Sequence, residues 1–340
     1  MKPFLVLFLF AGPAASGPKE SLEVLAPHSR KRSLCLLGAV IGSLLIGFSA
    51  FAAELRIANA SAERQTPDVL GKVTKEQPWQ NSLGMKFVPV SGTQALFSIW
   101  DTRVEDFRVF VESAGYDATD GMWSLAKDGW KQRGASWKDP GFKQGPTDPV
   151  VGVSWEDAKA FCGWLTKRER TSGGLPEGTE YRLPTDQEWS IAVGLDSEPG
   201  ETPQEKSFKI KTYVWGSTWP PPPGAGNYCG LESKIGSEPS KWPVIEGYND
   251  GYPRTSPVGS FAPTKSGLYD MGGNVWQWCE DWYNSENTHR VLRGASWDSR
   301  NPVFLLASSR DYITPDYRGA FIGFRCVLAK ESSHQAIATK

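Results

Sequence analysis

Beyond residue 53 the chain carries four cysteines, Cys162, Cys229, Cys279 and Cys326, and one histidine ahead of the tail, His289. No C-x-x-C occurs, which excludes a zinc ribbon or a thioredoxin-type redox pair. An even count fits two disulfides in an oxidising compartment or four buried thiols, and four cysteines allow three pairings that spacing does not choose between. One imidazole cannot build a three-histidine metal centre. His289, in Thr288-His289-Arg290, reads as a surface loop residue, and no nucleophile elbow gives it a serine to activate. Oxygen donors are better represented. Asp270, Gly273, Val275 and Gln277 fall on one tight loop, and Ca²⁺ accepts side-chain and carbonyl oxygens together. Gly226-Asn227-Tyr228 and Asn249-Asp250-Gly251-Tyr252 are, by themselves, Asx turns.

Those loops need a frame. The 340 residues include 15 Trp, 35 Gly and 25 Pro, so the composition predicts a loop-rich fold in which large aromatic side chains fill the space between turns. A net charge of -1 gives no basic face for nucleic acid. Apolar spacing predicts helices over Val104–Ala114, Ser154–Arg168 and Thr185–Val193, the last two opened by Ser154-x-x-Asp157 and Thr185-x-x-Glu188 capping patterns. Short strands are expected at Lys86–Pro89, Val150–Val153, Arg293–Trp297 and Gly323–Val327. From Gly194 to Tyr269 turn residues dominate, a stretch that needs disulfides or ions to hold it.

The N-terminus reads as an address. Met1–Gly17 and a second unit, Arg30-Lys31-Arg32 followed by the apolar run Ser33–Ala53, both have export character. The second run is long enough to span a bilayer and contains Ala50-Phe51-Ala52, a small-x-small cleavage pattern. Cleavage after Ala52 is expected; retention would make residues 33–53 a membrane anchor. Residues 1–53 are therefore read as signal or anchor, 54–80 as linker, 81–329 as the folded domain and 330–340 as a polar tail. The protein is expected to be exported: periplasmic, secreted, or anchored facing outward.

Six ordered segments carry a resemblance. They are Asn81–Val90 (NSLGMKFVPV), Pro149–Ala158 (PVVGVSWEDA), Tyr181–Trp189 (YRLPTDQEW), Gly267–Trp278 (GLYDMGGNVWQW), Arg293–Trp297 (RGASW) and Gly323–Cys326 (GFRC). In this order the chain resembles the formylglycine-generating enzyme, or sulfatase-modifying factor, family. The resemblance implies an α+β fold related to C-type lectins, with little regular secondary structure. It also implies two calcium sites, one from Asp270, Gly273, Val275 and Gln277 and one from Asn227, Tyr228, Asp250 and Tyr252. Gln277 stands where the family often has Glu. A Cys162–Cys326 disulfide is implied as well, leaving Cys229 and Cys279 as a second pair.

The same resemblance makes one difference conspicuous. Oxidising members hold copper(I) between two cysteines five positions apart, and a soft thiolate pair suits that ion. Here the first position falls on Ser299 and the second on or near Phe304, and no cysteine lies between Cys279 and Cys326. No copper is expected. Arg182 and Glu188 are positioned to pair, Trp189 to face the core, and Arg325 to sit beside a core strand. Trp276, Trp297, Asp298, Ser299, Arg300 and Asp311 are the candidate groove residues, aromatic and charged groups suited to a peptide, protein or glycan ligand outside the cytoplasm. The alternative is an enzyme of altered chemistry, a metal-dependent oxidoreductase with ligands Asp298, Asp311 and Asp316.

Overall fold

A computed structural model describes residues 70–126, 129–133, 135–234 and 243–331. The export segments, the first part of the linker and residues 332–340 of the tail lie outside the described residues. Two sheets and a hairpin carry the chain. Strands β1 (Trp79–Gln80), β2 (Lys86–Pro89), β3 (Ala95–Ser98), β6 (Thr179–Arg182) and β11 (Val327–Lys330) form an antiparallel sheet in the order β1-β2-β3-β11-β6. The second sheet orders β10 (Ile322–Gly323), β7 (Trp276–Trp282), β8 (Arg290–Arg293) and β9 (Asp311–Ile313) as β10-β7-β8-β9, with β10 parallel to β7. Strands β4 (Met122–Ala126) and β5 (Gly129–Arg133) form an antiparallel hairpin, and Trp123 of β4 also bridges to Gly319. Pairing of β3 with β11 joins the two ends of the domain. Trp79–Gln80, at the end of the segment read as linker, is instead the first strand of the folded sheet, with Trp79 opposite Phe87.

The helices start where capping chemistry places them. In α1 (Val104–Ala114), Arg103 precedes the first turn, its backbone N–H donating to Asp106 (3.0 Å), and Gly115 ends the helix in a left-handed conformation. Ser154 Oγ accepts from Asp157 N (3.1 Å) and Asp157 accepts from Ser154 N (2.9 Å) at the start of α2 (Trp155–Thr171). Thr185 and Glu188 repeat the exchange at α3 (Asp186–Ala192). A short fourth helix, α4 (Pro203–Lys206), follows.

Helices α1 and α2 bury an aromatic knot. Phe107 stacks on Phe161 with centroids 6.1 Å apart and meets Trp137 edge-on at 5.3 Å, while Phe161 meets Phe324 at 5.4 Å. Such pairs add stabilisation beyond area burial. A second core gathers Trp189, Phe97, Met271, Cys279, Val291 and Val327 under both sheets.

Three expected strands differ. Val150–Val153 is buried but makes no strand, since Gly152 takes a positive φ and Val150 N donates instead to Thr102 O. Strand β8 stops at Arg293 because Gly294 (φ 98°) and Ala295 (φ 64°) both turn left-handed. A Cβ on Gly294 would meet Met271 O at 3.1 Å, so the close approach also favours glycine there. Gly323–Val327 divides between β10 and β11, separated by the irregular Phe324–Cys326.

Between α3 and β8 lies a buried ionic cluster. Asp186 accepts from Arg293 (2.5 Å) and Arg310 (2.9 Å), and Arg310 also pairs with Glu198 (2.5 Å). Burial alone would raise the Asp186 carboxyl, but the two guanidinium groups outweigh it and hold it below the usual carboxylate range. A depressed folded-state pKa contributes stability above the unfolded value near 4, lost as pH falls through the folded value. Asp186→Asn should therefore lower stability at neutral pH by about 3–5 kcal/mol, the cost of breaking a buried pair. Denaturant melts should also show the difference between variant and wild type shrinking below about pH 4.

Candidate functional site

The connection after β8 delivers the groove residues. Past the left-handed Gly294–Ala295 step, Trp297 N donates to Asn274 O (3.0 Å) and Ser299 N to Ser296 O (2.9 Å), fixing a tight turn. Ser296 N donates to Ser299 Oγ (3.1 Å) and Ser296 Oγ to Asp298 Oδ1 (2.6 Å). The Ser299 hydroxyl, at the first expected thiol position, is thus part of the turn. From the other side β9 pairs with β8, setting Asp311 opposite Leu292. The parallel β10–β7 pairing sets Ile322 opposite Trp276 and brings Phe321 alongside.

Together these elements enclose a cavity of about 430 Å³ lined by Trp276, Asp298, Ser299, Arg300, Asn301, Phe304, Asp311 and Phe321. Five of the six expected groove residues meet there. Trp297 does not. It is 1% exposed, its indole N–H donates to Ala320 O (2.9 Å), and its ring packs against Phe142 and Trp130 with Arg254 4.7 Å from its centroid. It is a core residue, since the turn that directs Asp298 and Ser299 outward sends its neighbour inward. Missing from the sequence reading were Asn301 and Phe321 as cavity lining and Tyr317 beside the acids. No sequence motif marks them: Asn301 follows directly on the Asp298–Arg300 turn, and Phe321 arrives through the long-range β10–β7 pairing.

Electrostatically the site is dominated by two carboxyls. Burial pushes Asp311 up to about 6, against the Tyr312 N–H, with Asp298 adding to the rise. Burial also raises Asp298, although the Ser296 hydroxyl, Arg300 and Arg254 pull the other way. Tyr317 is raised by burial and then by both aspartates. No thiol lines the cavity. Among the described residues no group of three or more His, Cys, Asp or Glu is placed to hold a metal, so Asp298, Asp311 and Asp316 do not assemble the metal centre of the alternative reading.

The cysteines lie elsewhere. Cys162 and Cys326 stand as buried thiols with Sγ atoms 3.6 Å apart. Cys229 Sγ lies 3.7 Å from Pro243 O, and Cys279 is buried in the second core.

The two oxygen-rich loops differ from each other. Asn227 is fully buried and its Oδ1 has no partner, while its amide donates to Arg254 O (2.7 Å). Nearby, Asp250 accepts from Tyr228 N (2.8 Å) and Tyr252 N (2.9 Å), and burial pushes its carboxyl up to about 7. A cation beside Asn227 and Asp250 would satisfy the lone oxygen and favour the ionised acid, so these residues fit calcium. The other loop fits poorly. Gln277 Oε1 already accepts from Trp189 Nε1 (3.0 Å) and Arg325 Nε (2.8 Å), and its amide donates to Asp270 O (2.8 Å). The Arg325 guanidinium supplies positive charge there, and Gln277 acts as a core linker.

Comparison with known proteins decides the family. The sulfatase-modifying factor enzyme 1-like domain matches residues 74–330. The chain belongs to the sulfatase-modifying-factor family. Its relatives include a formylglycine-generating enzyme of Thermomonospora curvata, 32% identical over 221 residues, covering 57% of this chain and 61% of the relative. Another is the inactive C-alpha-formylglycine-generating enzyme 2 of Bos taurus, 32% identical over 203 residues and covering 56% of each chain. The chain thus spans little more than half the length of these curated relatives. Among solved structures, PvdO from Pseudomonas aeruginosa is similar at 24% identity and a TM-score of 0.48, covering 70% of this chain and 80% of that one. The family includes both enzymes and proteins named inactive, and within it this sulfatase-modifying-factor domain presents carboxylates in its cavity.

Placing Trp297 in the core has a measurable consequence. Trp297→Ala should destabilise the domain by about 3–5 kcal/mol, a buried-aromatic loss, whereas Ser299→Ala should change stability far less. Chemical denaturation of the two variants reads the difference.

Proposed function

We propose that this protein is an exported sulfatase-modifying-factor domain that binds a peptide in its cavity and does not carry out copper-dependent cysteine oxidation. The observation that carries this reading is the cavity lining: Ser299 and Phe304 stand at the expected thiol positions, and Asp298 and Asp311 supply its acidic groups. A protonated hydroxyl and a phenyl ring do not hold copper(I). The hydroxyl is also engaged with Ser296. Aromatic and charged side chains on rigidly held loops are the groups that recognise a peptide.

Calcium is part of the same proposal. One ion held by Asn227 and Asp250 with the Tyr228 and Tyr252 carbonyls would fasten the irregular stretch between α4 and β7. A ligand that binds only the folded state stabilises it by about 2.7 kcal/mol at a hundredfold excess over Kd. Chelation should lower the melting temperature of the wild type and leave Asp250→Ala almost unresponsive. An identical wild-type melt with and without chelator would remove the ion from the proposal.

Absence of the oxidation is tested directly. A cysteine-containing sulfatase peptide incubated with the protein, copper, oxygen and a thiol should keep its mass. Conversion of thiol to aldehyde, abolished by Cys229→Ser or Cys279→Ser, would overturn the binding-module reading.

A further inference from the structure

Two large cavities differ in how their charges are balanced. One, of about 490 Å³, lies between α2 and β6 and includes Lys159, Arg170 and Arg182 in its lining. Three of the four cations that line it are paired: Lys159 with Glu280 (2.7 Å), Arg182 with Glu188 (2.7 Å), and Arg170 with Glu331. In the cavity of Asp298 and Asp311 the balance is incomplete. Asp298 has the Ser296 hydroxyl at 2.6 Å and Arg300 and Arg254 as neighbouring positive charges. For Asp311 the structure supplies one hydrogen bond, from the N–H of Tyr312 (2.9 Å). Among the described residues no basic side chain pairs with it.

The walls say what kind of cation fits. A hard divalent ion such as Ca²⁺ wants six to eight oxygens, and among the described residues no third carboxylate stands in position. Trp276, Phe304 and Phe321 instead present aromatic surface, with Phe304 45% exposed at the rim and held edge-on to Phe208 at 5.9 Å. Aromatic surface beside a carboxylate suits a charged head on a methylene stem, which the rings cover while the acid takes the charge.

Resting on the peptide-binding reading above, we infer that this cavity receives a lysine or arginine side chain of the bound peptide. Asp311 is its counter-charge, and Trp276, Phe304 and Phe321 enclose its stem. Asp298, already compensated, lends negative potential without being the primary partner. Arg300 sets a limit on position, because the incoming cation must approach from the Asp311 side.

The probes are Nα-acetyl-lysine methylamide and Nα-acetyl-norleucine methylamide, which share a stem and differ in charge, titrated into the full chain by ligand-observed NMR. The lysine probe should bind at least about tenfold more tightly, the scale of one charge-assisted contact. Asp311→Asn should bring its affinity down to that of the norleucine probe, and Asp311→Glu should recover most of the loss. Melting curves of the variants check that the fold persists. Equal affinity of the two probes, no binding of the lysine probe, or an unchanged lysine affinity in a folded Asp311→Asn variant would each overturn the inference. Equal affinities that both fall in Trp276→Ala would leave the peptide-binding reading standing. Formylglycine production in the peptide assay would remove that reading instead.

Discussion

Arg325 is a fully buried guanidinium on which both sheets converge. It donates to Ser98 O on β3 (3.0 Å), to Gln277 Oε1 on β7 (2.8 Å) and to Tyr269 O (2.8 Å), and it pairs with Asp101 (3.2 Å). A planar fork of donors can bind several acceptors in fixed directions, which a lysine cannot do. Its charge is balanced by two acids in unequal states. Burial pushes Asp101 up to about 8, with Asp270 adding to the rise against Arg325, while Asp270 itself is raised by burial to about 6. The pairing with Asp101 and the carbonyl acceptors around the guanidinium offset the cost of burying its charge at the centre of a loop-rich domain.

Everything around the candidate site hangs from this centre. Gln277 is held by Arg325 and Trp189, which fixes β7 and therefore Trp276 at the cavity wall. Strand β7 in turn orders β8, whose end at Gly294 and Ala295 directs the Asp298 turn. The second ionic cluster, Asp186 with Arg293 and Arg310, anchors β8 and the residue immediately before Asp311. Thus the two acids of the cavity are placed by buried ion pairs rather than by long regular elements. This explains how a fold with so many turns can hold side chains in one geometry.

Ser299 and Phe304 line the cavity without forming part of the frame. Ser299 adopts a turn in which its hydroxyl is consumed locally, and Phe304 extends toward solvent. Neither is needed for the core. Trp189, Gln277, Arg293 and Arg325, by contrast, are all buried and structural.

Much of this was legible along the chain. The three longer helices lie where apolar spacing and capping residues put them, within a few residues at each end, because those signals act over one or two turns. Strand β2, the Arg182–Glu188 pair (2.7 Å) and the buried Trp189 were readable for the same reason: their determinants are local in sequence. The six ordered segments made the family recognisable. Tertiary structure decided the rest. Only packing shows that Trp297 turns inward to Ala320, that Gln277 serves Arg325, and that, among the described residues, Asp316 joins no metal-binding cluster. In each case the deciding partner lies far away in sequence. A residue's type fixes what it can bind, but its neighbours are set by long-range strand pairing and by the buried charges that lock the sheets.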